Sequence, residues 1–203
     1  AMNKSTGLQV VRDVLSRRDP SVRKVIFRWY FTKSALPWAS PNGRRFREWI
    51  LRLKDGDKVA ECLFAAILLS MPDELSEDPD GIIAIPPSRS YPNYPLGNVA
   101  KIISDMRENI SDFTDHLTRI HPLPKAVDDR SVRDITVQAT SMRFAPLPSH
   151  VRSIVLIDDV ATTWSTMDGA LRHIKGTHPN LKVVCFAFGK TQRTGNTPFS
   201  EEP

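Results

Sequence analysis

Residues 154–166 read Ile-Val-Leu-Ile-Asp-Asp-Val-Ala-Thr-Thr-Trp-Ser-Thr. An apolar run ends in the adjacent carboxylates Asp158 and Asp159. The hydroxyls of Thr162, Thr163, Ser165 and Thr166 follow within one short loop. Carboxylates accept hydrogen bonds from a vicinal diol and, with water in between, help to hold a Mg2+ ion. Hydroxyls and the unpaired amides at the start of a following helix make a phosphate site. A ribose 5-phosphate would satisfy all of these groups at once. The plainer alternative is an acidic strand end with a Thr-rich helix cap.

Such a site needs a rigid frame. Residues 153–157 are apolar and predict a buried central strand. Asp158 and Asp159 should leave it on opposite faces, because strand side chains alternate. A helix is expected over 167–174 and another buried strand over 181–188. Residues 81–86 form a short apolar run between breakers, hence a strand. Residues 98 to about 120 carry helical spacing through Val99, Ile102, Ile103 and Met106. Upstream, Leu8, Val11, Val14 and Leu15 predict one helix. Val25, Ile26, Trp29 and Tyr30 predict a second, and Phe46, Trp49, Ile50 and Leu53 a third, broken by Lys54-Asp55-Gly56-Asp57. Residues 59–71 read as a buried helix.

Strands alternating with helices predict an α/β fold, a mainly parallel central sheet flanked by helices, with a helical N-terminal segment. Ligands in such sheets sit beyond the carboxyl ends of the strands. The expected division is a helical segment over 1–78 packed on the core and an α/β core over 79–190. That core includes an irregular hood over about 121–148, and a flexible tail follows over 191–203.

Composition narrows the classes. With 203 residues, 40% hydrophobic and 25% charged, the chain can bury a substantial core. The longest apolar run, residues 62–71, is far short of the roughly 20 residues a membrane span needs, so no membrane partner is expected. Cys62 and Cys185 both lie in apolar segments and read as reduced core thiols of a cytoplasmic protein. The formal net charge is +5, with the excess in the N-terminal third. Basic N-terminal helices carrying Arg44, Arg45, Arg47 and Arg52 suit unspecific phosphate contact with nucleic acid, or are solvated faces. His173 and His178 are five apart, do not stack on one helical face, and suggest no metal role. No P-loop or dinucleotide fingerprint occurs.

The string over 155–166 resembles the signature of the type I phosphoribosyltransferases: an apolar run, two acidic residues, two further residues, then Thr-Thr-Gly-x-Thr or a close variant. Here Trp164 stands where that family has glycine. Other stretches are similar to the ComF (competence) branch: Leu53-Lys54-Asp55-Gly56-Asp57, Ile83-Ala84-Ile85-Pro86-Pro87-Ser88-Arg89, Gly97-Asn98-Val99-Ala100, and the arginines Arg119 and Arg130.

The resemblance implies that Asp158 and Asp159 hold the ribose hydroxyls of phosphoribosyl pyrophosphate and, through water, Mg2+. It implies that Thr162, Thr163, Trp164, Ser165 and Thr166, with Ala161 at the loop's start, wrap the 5-phosphate. Arg89 beside Ser88 would meet the pyrophosphate, and the hood arginines Arg119, Arg130 and Arg133 would cover it. The implied activity is pentosyl transfer of ribose 5-phosphate to a nitrogenous base or amine, with release of pyrophosphate. The alternative is a catalytically impaired module that senses the same ligand or a related nucleotide. It would regulate a partner or bind nucleic acid, in competence or defence. A homodimer and a protein partner both remain open. Trp164 motivates the alternative. Glycine permits positive φ, whereas a bulky residue there costs about 1–2 kcal/mol, and an indole could fill the phosphate's volume. Trp164 is therefore expected to weaken ordinary substrate binding.

Overall fold

The computed structural model describes residues 19–30, 39–71, 79–88, 94–123 and 134–191. Its centre is a five-stranded sheet in the order β1 (Val22–Tyr30), β7 (Lys182–Thr191), β6 (Ser153–Ala161), β2 (Gly81–Ala84), β3 (Ser111–Asp112), and every neighbouring pair is parallel. Helices α1 (Pro41–Lys54), α2 (Lys58–Leu69) and α3 (Pro95–Met106) cover one face. Helix α5 (Ser165–Thr177) covers the other, beside the short helix α4 (Ile135–Thr140) and an antiparallel ribbon of β4 (Leu117–Arg119) and β5 (Met142–Phe144). This is the expected α/β architecture, a parallel sheet flanked by helices.

Alternation along the strands builds two core layers. Val155, Ile157, Val184, Phe186 and Phe188 pack under α1 to α3. Ile154, Leu156, Val183, Cys185 and Ala187 pack under α5. The backbones of α4 and α5 approach closely at Gly169, where an added Cβ would lie 2.8 Å from Gln138 Cβ.

Four stretches depart from the sequence expectation; within the hood expected to be irregular, Ile135–Thr140 form α4 and Met142–Phe144 form β5. Residues 22–30 are strand, not helix: Val25 and Phe27 enter one layer while Val22 and Ile26 enter the other, a period of two. Over so short an apolar window, helical and buried-strand spacing coincide. Pairing with β7 from Val22↔Val183 to Tyr30↔Thr191 decides for strand. Helix α3 stops at Met106 because Arg107 is extended (φ −134°). The chain then pairs with β2 as β3, and Thr114 Oγ1 accepts the Ala84 N–H at 3.1 Å. Strand β6 continues past the acidic pair to Ala161, because β7 stays paired with it as far as Ala161↔Lys190. The cysteines also differ from each other. Cys185 is buried and burial pushes its thiol up to about 12, whereas Cys62 is exposed on α2, not in the core. The helix expected over residues 8–15 lies outside the described residues.

Candidate active site

The site arises where β6 loses one neighbour and keeps the other. Pairing with β2 ends at Ala84↔Ile157, where Ile85 N–H still donates to the Ile157 carbonyl at 2.9 Å. On the opposite edge β7 pairs on. A cavity of about 390 Å³ opens along the released edge. Its floor holds Asp158, Asp159 and Val160. Its walls come from the loop after β2 (Pro86, Pro87, Ser88), the ends of α1 (Leu53, Lys54) and α3 (Tyr94, Pro95), the hood (Arg119, Gln138) and the first turn of α5 (Thr166). Cavities of this size hold small ligands.

Both acidic residues line this one cavity at the end of the sheet, with Asp159 on the α1 side beside Lys54. Each folds back along the strand: Asp158 Oδ1 accepts the Asp159 N–H at 2.8 Å, and Asp159 Oδ1 accepts the Val160 N–H at 2.5 Å. Burial, and then repulsion from Asp159, raise the Asp158 carboxyl to about 7, while Lys54 and Arg119 oppose the rise. Burial works against the Lys54 ammonium, but Asp159 at 3.0 Å, with Asp158 and Tyr30 nearby, more than compensates and holds it above its usual range. The Tyr94 hydroxyl, driven well above its ordinary value by burial and then by the two aspartates, donates to the Ile85 carbonyl. Two like charges side by side on a strand oppose stability, and such arrangements cluster at functional sites.

Arg119 closes the hood side. Its Nε donates to the Pro87 carbonyl at 2.9 Å and one terminal nitrogen to the Pro86 carbonyl at 3.2 Å. The other donates to Ser141 Oγ, and Gln138 Oε1 lies 3.5 Å from both. Burial lowers its pKa, with Asp158 and Tyr94 opposing. Arg119 thus clamps the loop after β2 to the hood.

Trp164 takes the left-handed conformation (φ 66°, ψ −2°) that glycine would, and it precedes α5 without a side-chain cap. Its indole is 4% exposed and packs in the layer under α5 with Ile26, Ile83 and Met167. Lys24 Nζ and Lys190 Nζ lie 5.5 and 5.1 Å from its ring centroid, within cation–π range. Lys24 also pairs with Asp168 at 2.6 Å. The indole does not line the cavity. Of the two outcomes open to the ring, obstruction or packing elsewhere, the indole packs in the apolar layer beside the two lysines, while the backbone keeps the glycine-like turn.

Of the residues expected to meet ligand, Ser88, Arg119, Asp158, Asp159 and Thr166 line the cavity, and Ala161, Thr162, Thr163, Trp164 and Ser165 do not. Thr163 Oγ1 and Ser165 Oγ are hydrogen-bonded to each other at 2.9 Å. Arg89, Arg130 and Arg133 lie outside the described residues. His178 Nε2 accepts the Leu147 N–H at 2.9 Å, and His173 Nε2 bonds the Ala139 carbonyl at 2.8 Å. On α1, Arg44 donates to the Ala39 carbonyl at 3.1 Å and Arg52 pairs with Asp57 at 2.6 Å. Sequence reasoning missed Lys54, Tyr94 and Gln138. The only available signal was that Lys54 sits in the short motif that breaks α1.

No family model and no curated protein matches the sequence. Among solved structures, a similar chain is the Helicobacter pylori xanthine-guanine-hypoxanthine phosphoribosyltransferase, at 11% identity and a TM-score of 0.41, with 68% of this chain and 86% of that chain covered. A likeness at that level carries no assignment of function.

Proposed function

We propose that the protein binds phosphoribosyl pyrophosphate and transfers its ribose 5-phosphate to a nitrogenous base or amine, releasing pyrophosphate. One observation supports this most: the acidic pair Asp158–Asp159 and the uncapped start of α5, through Thr166, border the same cavity. The first intrahelical bond of α5 runs from Asp168 N–H to the Trp164 carbonyl at 2.8 Å. The amides of Ser165, Thr166 and Met167 thus precede the helix's own ladder and carry its positive dipole end, which suits a phosphate. The carboxylates suit the ribose diol. The ComF-like placement belongs to the same proposal and rests on the sequence elements named above.

In the transfer, the acceptor nitrogen forms a bond to ribose C1 while the bond from C1 to the pyrophosphate oxygen breaks. The electron pair leaves on pyrophosphate, and the nitrogen releases its proton to solvent. Asp158 and Asp159 orient the sugar. The loop after β2, clamped by Arg119, walls the cavity against water. Mg2+ fits the donor set: the cavity wall carries two carboxylates among the described residues, matching a hard cation that takes one or two carboxylates and completes its shell with water and phosphate oxygens. Asp158 and Asp159 would hold it through water, and it would supply positive charge against the pyrophosphate.

The test is pyrophosphate release with a panel of bases and amines, beside calorimetric binding. Release that is abolished in Asp159→Asn supports the transferase. Tight binding without release supports the sensing module. No binding of phosphoribosyl pyrophosphate overturns both.

A further inference from the structure

Helix α1 packs its core stripe under the sheet and ends at Lys54. The turn after it is fixed by backbone bonds: Asp55 N–H donates to the Leu51 carbonyl at 3.0 Å, Gly56 N–H to Leu53 at 2.9 Å and Asp57 N–H to Arg52 at 3.0 Å, with Gly56 at φ 78°. Lys54 is thereby held on the cavity wall with its ammonium 3.0 Å from Asp159 Oδ2, and its side chain is 45% exposed. An ammonium has three donors, of which the Asp159 carboxylate engages one. The other cation among the described lining residues, Arg119, is differently placed. Its guanidinium already reaches the Pro86 and Pro87 carbonyls, Ser141 and Gln138.

A ligand that carries a pyrophosphate brings several negative charges next to two carboxylates. Like charges that close repel strongly in a partly buried cavity, so a cation is needed between them. Lys54 stands beside one carboxylate, on the cavity wall, with donors to spare. We propose that Lys54 is the cavity's pyrophosphate-binding residue, sharing its ammonium between Asp159 and a pyrophosphate oxygen of the ligand. This rests on the pentose-phosphate reading of the site. It makes Lys54 a specificity determinant that separates sugars bearing a pyrophosphate at C1 from those bearing a hydroxyl there. The competing role, a mere counter-ion for Asp159, would affect both kinds of sugar alike.

The experiment is calorimetry on the full chain with phosphoribosyl pyrophosphate and with ribose 5-phosphate, each with and without Mg2+. It compares the wild type with Lys54→Met and Lys54→Arg. Circular dichroism and thermal melting establish folding, and Lys54→Gln replaces Lys54→Met if the latter fails to fold. In Lys54→Met, affinity for phosphoribosyl pyrophosphate is expected to fall roughly ten- to hundredfold, affinity for ribose 5-phosphate less than about threefold, and Lys54→Arg to recover most of the loss. Equal losses for both ligands, or an unchanged affinity for phosphoribosyl pyrophosphate, overturn the assignment of Lys54 alone. Failure of the wild type to bind either ligand overturns the pentose-phosphate reading, and this inference with it.

Discussion

Helix α2 begins directly after Asp57 and helix α5 directly after Trp164, and they begin in opposite ways. At α2, Asp57 Oδ1 accepts the N–H groups of Val59 at 2.8 Å and Ala60 at 3.2 Å, and Arg52 holds the same carboxylate at 2.6 Å. The chain satisfies its own amides there. At α5 the position before the helix is a left-handed Trp164 that offers them no side-chain acceptor. Its ring is sunk in the core, and the acidic residue of the first turn, Asp168, is taken by Lys24. One helix start is capped by its own chain and the other is not. The difference separates a self-satisfied helix end from one entered through a left-handed bulky residue, at a cost of about 1–2 kcal/mol.

The largest expected effect lies at the acidic pair. The folded protein keeps the Asp158 proton up to about pH 7, whereas the unfolded chain releases it near the ordinary carboxyl value of 3.8. Across that window the unfolded chain binds fewer protons, so raising the pH from about 4 to about 7 destabilises the fold through this group. Asp158→Asn should remove that slope. It should be more stable than the wild type at pH 8 by up to a few kcal/mol and no more stable at pH 4, as read by urea titration. Equal stability at pH 8 would mean that the pair carries no strain.

Next in size is Trp164→Gly. Losing a buried aromatic ring costs about 3–5 kcal/mol, and relief of the left-handed backbone returns about 1–2, so a net loss of about 1–4 kcal/mol is expected. Affinity for phosphoribosyl pyrophosphate should stay within about twofold, because the indole is absent from the cavity wall. A large gain in affinity would revive the view that the ring obstructs the ligand. Trp164→Ala sharpens the point: it should be about 1 kcal/mol less stable than Trp164→Gly, the reverse of the usual preference for alanine. The smallest effect belongs to the self-capped end. Asp57→Ala should lower the melting temperature slightly and leave ligand affinity unchanged in calorimetry. A change in affinity would show that the α2 start is not merely structural.

Much of the frame was legible because apolar runs such as residues 154–157 and 183–188 admit few folds other than buried parallel strands. The place of the acidic pair was legible because an apolar strand ending in two carboxylates puts them at the sheet edge, where they line the cavity. What stayed hidden depends on partners distant in sequence. Residues 22–30 take their strand identity from β7, more than 150 positions away. The direction of the Trp164 ring depends on Lys24 and Lys190, from two different strands. Arg119 carries a charge that suits a ligand, yet the carbonyls of Pro86 and Pro87 claim it. Lys54 resembles any cation at a helix end until α1 is laid over the sheet.

The contrast between the two cysteines has a practical use. Cys185 lies in the sealed layer with a thiol pushed up to about 12, so it stays protonated and shielded from alkylating reagents, while Cys62 faces outward on α2. With only these two in the chain, a maleimide fluorophore should attach at one position, with unit stoichiometry and no mutagenesis. The native sequence thus supplies a single dye handle on the helix next to the one that carries Lys54.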